Sequence, residues 1–168
     1  MFKSNATKSL CRAGLIAALY VLLTLVNPFS FGIFQFRISE ALTILPIFFP
    51  EAVPALFVGC LISNILGNGV YDVIIGSLAT LIAATATYFC SKSIKNNVLK
   101  LVVGGIFPVI ANALAVPLIF ILCGIAERAY IIEALIIGAE EAGVVYTLGS
   151  ALYFATAKII SKTTKISE

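Results

Sequence analysis

The chemistry available to this chain lies in eight ionisable residues that sit apart from its lysines. Glu40, Asp72, Glu127, Glu133, Glu140 and Glu141 face two guanidiniums, Arg37 and Arg128, with Asn68 and Asn112 as polar neighbours. If some pair, four acids remain in excess. A site built from them suits a cation or a flat molecule dense in N–H donors, and suits a phosphate or dicarboxylate poorly. An ionisable residue inside a membrane segment costs at least about 2.5 kcal/mol at the bilayer centre, so each is a functional candidate by default.

Several also have plain structural readings. Asp72 opens a helix and serves as a cap or dipole partner. Glu51 does the same at the opposite end. Glu127 and Arg128 read as solvated loop, and Arg37 and Glu40, three apart, read as a local ion pair. Glu140 and Glu141 are harder to dismiss: adjacent helical residues point about 100° apart, so one of them can face inward. The Glu140 stripe runs from Glu133 through Gly143, Val144, Thr147 and Ala151, and the Glu141 stripe through Val145, Leu148 and Leu152. Small residues mark close packing or a cavity, which makes Glu140 the better inward candidate. Asn112 lines the cavity or bridges helices. Phe31, Phe34, Phe36, Tyr71 and Tyr130 form an interface belt or stack on a planar ligand.

The elements that position these groups are membrane helices. Hydrophobic residues make up 61% of the 168, charged residues 11%, and the mean hydropathy is +1.10, outside the range of soluble domains. An all-α bundle of six transmembrane helices is expected as a single membrane domain over 1–168. The helices run over approximately 10–26, 38–49, 51–66, 71–90, 98–122 and 138–160. Asn27-Pro28 stops the first helix, Pro50 the second, and Gly67-Asn68-Gly69 turns the third. Pro108 and Pro117 fall inside the fifth, which is tolerated where neighbours satisfy the freed carbonyls. The stretch 129–160 exceeds one straight crossing and is divided near Gly138.

Nine of the eleven cations cluster at 3–12, 92–100 and 158–165. Six passes put all three clusters on one side, which the positive-inside rule makes cytoplasmic, with both termini. The expected location is a bacterial plasma membrane, crossed several times and in contact with lipid. No A-x-A site follows the first apolar run, so that segment is expected to be retained. Cys11, Cys60, Cys90 and Cys123 are scattered, without disulfide or metal spacing, and histidine is absent, so no metal site is expected. No nucleophile–base arrangement or phosphate-binding Gly-rich loop is present; the chain reads as no enzyme, and its charge gives no nucleic-acid footprint. Ala13 and Ala17, four apart with Gly14 and Ala18 beside them, either pack within the bundle or dock onto another membrane subunit. A transporter subunit, a channel-like protein and a sensor all remain open at this level.

The run Phe36–Pro46, with the pattern R-x-S-E-A-L-x-x-L-P, followed by Pro54–Cys60 and by Asp72–Leu81, resembles the QueT family over most of the chain. Members of that family are substrate-binding S components of energy-coupling-factor (ECF) importers. The resemblance implies a compact six-helix fold that captures a queuosine precursor or salvage form near the outer face. That ligand would be a 7-deazaguanine such as 7-aminomethyl-7-deazaguanine or queuine. It also implies a transmembrane T subunit and two cytoplasmic ATPases as partners, so that ATP is used by those chains and no cofactor by this one. Within the resemblance, Ala13 and Ala17 match the T-subunit docking surface, and Arg37, Glu40 and Asp72 lie in the matching motifs. Glu140 is then expected on the donor edge of the base. Glu40, Glu141 or Asp72 would take an aminomethyl cation, and Asn68, Asn112, Tyr71 and Phe34 would complete the site. The alternatives are an S component for another donor-rich, vitamin-like molecule and a stand-alone membrane sensor or facilitator.

Overall fold

The computed structural model of the chain describes residues 2–31 and 36–166. Helix α1 (Phe2–Val26) is followed by a 3-10 helix (Ile38–Ile47) and by α2 (Ala52–Gly67). A π-turn (Asp72–Gly76) leads into α3 (Ser77–Ser93), then α4 (Asn97–Leu122), α5 (Tyr130–Val144), a second π-turn (Val145–Gly149) and α6 (Ser150–Ile166). The described residues contain no strand.

Local chemistry sets the helix ends. Asn27 stops α1, its side chain accepting from the Phe29 amide at 3.1 Å and donating to the Phe36 carbonyl at 2.6 Å. Asn96 caps α4 by accepting from the amides of Val98 and Leu99. The far end of α4 closes on Gly124, at φ +69°. The Ile125 amide there bonds back to the Phe120 carbonyl, and the Gly124 amide to Ile121. This double return is a Schellman cap, and its left-handed residue is the reason for glycine. Pro108 lies within α4, where it removes the amide that would have bonded the Gly104 carbonyl. The Thr87 hydroxyl of α3 donates to that carbonyl at 2.8 Å instead. A polar α3 side chain thus repairs the ladder that the proline breaks.

Two expectations are corrected. The segment 38–49 is not an α-helix: ten of its residues wind as a 3-10 helix, an unusual length for that form. Ser39 to Pro46 are all buried, so helix packing on every side, and not intrinsic preference, holds the backbone. At about 2 Å per residue the ten residues reach about 20 Å, further than an α-helix of equal length. The Thr43 hydroxyl bonds the Glu40 carbonyl three residues back. The second correction concerns 129–160, where the chain is helical without a break through Gly138. A side chain at Gly138 would touch Ala113 of α4 at 3.4 Å, so this glycine serves the α4–α5 contact and is no break point. The irregularity falls at the second π-turn.

Among the described residues, three helical runs are long and apolar enough to cross a bilayer: Ala6–Val26, Asp72–Ser93 and Asn97–Leu122. Their outward faces carry Leu10, Leu15, Ile82, Ile110 and Leu114, each at least half exposed. Such a continuous apolar exterior suits lipid rather than water. Arg12 of α1 meets Glu51 at 2.7 Å and lies over the Phe49 ring, which joins the first half of α1 to the start of α2. At the opposite end, Thr24 of α1 donates to Ser39 at 2.7 Å, so the 3-10 helix runs antiparallel to α1. The core between them contains Ile16, Tyr20, Leu42, Leu45, Leu56 and Cys60.

Gly59 sets the α1–α2 distance. A Cβ there would lie 2.8 Å from Tyr20 Cβ and 3.1 Å from the Ala17 carbonyl, both on a helix backbone or its root. Gly59→Ala is expected to destabilise the folded chain by about 1–3 kcal/mol, read as a lower midpoint of thermal unfolding in detergent. An unchanged midpoint would show that the two helices can separate freely.

Candidate ligand-binding site

The polar residues gather where the 3-10 helix passes α1, α4 and α5. Arg37 and Glu40 stand on its first turn, 8% and 2% exposed. The Tyr20 hydroxyl of α1, fully buried, donates to Glu40 Oε1. Glu141 of α5 sits against Glu40, and the Asn112 amide of α4 reaches both carboxyl groups. One oxygen of Glu141 is buried with no hydrogen-bond partner. Arg37, Glu40, Asn112, Val116, Ile137 and Glu141 line a cleft with about 10 Å³ of free room, space for one water. Anything larger than a water requires lining side chains to move.

A second shell of contacts holds Arg37. Its Nη2 lies 3.9 Å from an Asp72 carboxylate oxygen and 2.7 Å from the Asn68 amide oxygen. Because a guanidinium carries donors only, the amide oxygen must face it, and the amide nitrogen then donates to the Gly67 carbonyl at 3.2 Å. Asn64 of α2 donates to the Asp72 carbonyl at 2.9 Å, fixing the π-turn that carries the carboxylate. Asp72 therefore does more than open a helix: it faces Arg37 across the bundle.

Three carboxyl groups and one guanidinium thus share one buried region, with hydroxyl and amide donors around them. Two carboxyls in contact favour a positively charged group between them, and their oxygens can accept parallel N–H bonds from one ligand edge. The described residues offer no cluster of metal-ligating side chains.

The sequence-derived candidates divide clearly. Arg37, Glu40, Glu141, Asp72, Asn68 and Asn112 come together. Glu140 does not join them: it is half-buried on the next face of α5, near Glu133. The small residues that favoured it, Gly143, Thr147 and Ala151, are exposed on the outside of the helix, so smallness there marks no cavity. Tyr71 is 44% exposed and does not line the cleft. Phe34 lies outside the described residues. Ala13 and Ala17 pack against the core that α1 forms with α2, which puts them at an internal contact; Gly14 and Ala18 occupy the exposed face. Tyr20 was missed, although a phenol hydroxyl within an apolar helix signals a buried partner.

The chain matches the QueT transporter family over residues 10–158. It belongs to that family. The family is one of transporters, not of enzymes, and the long apolar helices are those of a membrane protein. A relative from Lactococcus lactis subsp. cremoris, the queuosine precursor transporter QueT, is 39% identical over 83 residues. That match covers 48% of this chain and 49% of the relative, so it spans about half the length of the curated protein. No solved structure matches.

The family member's Arg37 is the counter-charge of its site. Arg37→Met is expected to cost about 3–5 kcal/mol, because it leaves buried carboxylates without compensation. Adding Asp72→Asn should recover part of that loss. Thermal unfolding of both variants in detergent checks this, and a double variant no more stable than the single one would separate Asp72 from Arg37.

Proposed function

We propose that this QueT-family chain is the substrate-binding S component of an ECF importer in a bacterial plasma membrane. It captures a 7-deazaguanine queuosine precursor or salvage form, such as 7-aminomethyl-7-deazaguanine or queuine. The observation that carries this is the buried Glu40–Glu141 pair with Asn112 between them, which suits a flat, donor-rich, cationic base. In this reading the bundle crosses the membrane six times, with the 3-10 helix as its second pass and both termini cytoplasmic. A transmembrane T subunit and two ATPases supply the energy, and ATP is used by those chains.

The ligand roles follow from geometry and charge. Glu141, with its free buried oxygen, accepts the ring N–H and exocyclic amino group in parallel. Charge-assisted bidentate bonds of this kind are stronger and more directional than neutral ones. Glu40, held by Tyr20, takes the aminomethyl cation, and Arg37 donates to the ring carbonyl. Asn112 bridges the two carboxyl groups and can turn either its oxygen or its nitrogen to the ligand.

Calorimetric titration of the purified, detergent-solubilised chain with 7-aminomethyl-7-deazaguanine, queuine and a panel of vitamin cations tests the reading. One deazaguanine should bind, and the vitamins should not compete. Glu141→Gln should weaken binding by about 10- to 100-fold, the worth of a charge-assisted hydrogen bond. Glu140→Gln should change it by about twofold at most, as for a residue outside the contact. No deazaguanine binding by folded protein would remove the substrate assignment. Equal losses in the two variants would remove the role of Glu141.

A further inference from the structure

Above the cleft, α5 carries a second buried carboxylate that the site just described does not use. Glu133, Ile137 and Glu141 are spaced four apart on one face and are 2%, 3% and 6% exposed. Along the helix axis, Glu133 stands about 12 Å from Glu141 on the side of the α4–α5 connection. Each of these glutamates has one buried oxygen without a hydrogen-bond partner, Oε2 of Glu133 and Oε1 of Glu141, as does the neighbouring, half-buried Glu140 at Oε2. The other Glu133 oxygen accepts from Arg128 Nη1 at 3.1 Å, and the Arg128 side chain is 37% exposed. Between the two carboxylates lies a buried apolar layer of Val116, Phe120 and Ile137. Val116 and Ile137 are also the apolar wall of the cleft.

We propose that Glu133 and Arg128 form an outer station for an amine cation, in line with the Glu40–Glu141 pair and separated from it by the Val116–Phe120–Ile137 plug. Arg128 holds the place of the incoming cation. Its guanidinium is partly in water and hangs from a loop, so it can swing outward without becoming a buried unpaired charge. Glu133 is fully buried and cannot lose its partner without a replacement. An arriving ammonium group supplies that replacement, so the step is an exchange of cations on a fixed carboxylate. Neutral ligands gain nothing from it, and anions are repelled. Displacing Ile137 outward then opens the way to Glu141. The inference rests on the proposed function only in taking the cleft to be entered from this end.

The test uses cysteine chemistry and needs no deazaguanine. Ile137→Cys is placed in the full chain with Cys11, Cys90 and Cys123 replaced by serine; buried Cys60 is kept, and the parent without Ile137→Cys gives the baseline. The protein is treated with a cationic aminoethyl and an anionic sulfonatoethyl methanethiosulfonate of similar size. The cation should modify residue 137 about tenfold faster, as for a cleft lined by one sign of charge. Glu133→Gln should lower that preference severalfold, leaving the part due to Glu140 and Glu141, and Arg128→Ala should raise the cationic rate by about tenfold. Equal rates for the two reagents, no reaction with either, or a preference unchanged by Glu133→Gln would overturn the proposal. Should Glu133→Gln fail to fold, an Arg128→Ala rate no higher than its parent's overturns it alone. Failure of deazaguanine binding with a cation preference intact would overturn the substrate assignment and leave the outer station standing.

Discussion

Everything in this fold answers to one demand, the burial of Glu40 inside an apolar bundle. A carboxylate removed from water must be surrounded by donors or opposite charge, or it destabilises the structure that holds it. Here neighbouring elements supply them: Tyr20 from α1, Asn112 from α4 and Arg37 at the start of the 3-10 helix, while Glu141 from α5 adds a second carboxyl that shares the same partners. Arg37 in turn requires Asn68 and Asp72 at the α2–α3 turn. The site is therefore not an addition to the bundle. Its polar contacts fix how the helices approach one another, while the apolar surfaces are free to face lipid.

Much of this was legible in the residues. The R-x-S-E spacing marks both Arg37 and Glu40, and proline and asparagine positions mark where α1 and α4 begin or end. Pro108 carried its own requirement for an outside donor, which Thr87 supplies. The 3-10 winding of Ile38–Ile47 was not legible, because periodicity distinguishes three residues per turn from 3.6 only when one side is polar. A segment buried all round has no such contrast. The preference for Glu140 over Glu141 rested on small neighbours, which are a weak guide for a related reason. Small residues line cavities, close contacts and outward faces alike, and Gly143 has open space around it. The partner of Tyr20 lies twenty residues away, beyond any local pattern.

The close approach at Gly59 and the Schellman cap at Gly124 illustrate two different uses of glycine. The first removes a side chain so that two backbones can touch, and the second permits a backbone angle. Both serve the site indirectly. One sets how deeply Tyr20 enters the core, and the other fixes the start of the connection that delivers Arg128 to Glu133.

The second π-turn has a consequence for phase. From Glu133 to Tyr153, the residues Glu133, Ile137, Glu141, Val145, Gly149 and Tyr153 all face inward and are buried. A spacing of four drifts by about 40° per step on a straight α-helix, so five steps would rotate the stripe by about 200° and leave its ends on opposite sides. A π-turn holds one residue more than α geometry allows, and takes back about 100° of that drift. The extra residue at Val145–Gly149 thus works as a phase correction. It lets a single helical run keep carboxylates facing the bundle in its first half and Tyr153 facing it in its second half, where that ring packs against Phe48 at the end of the 3-10 helix.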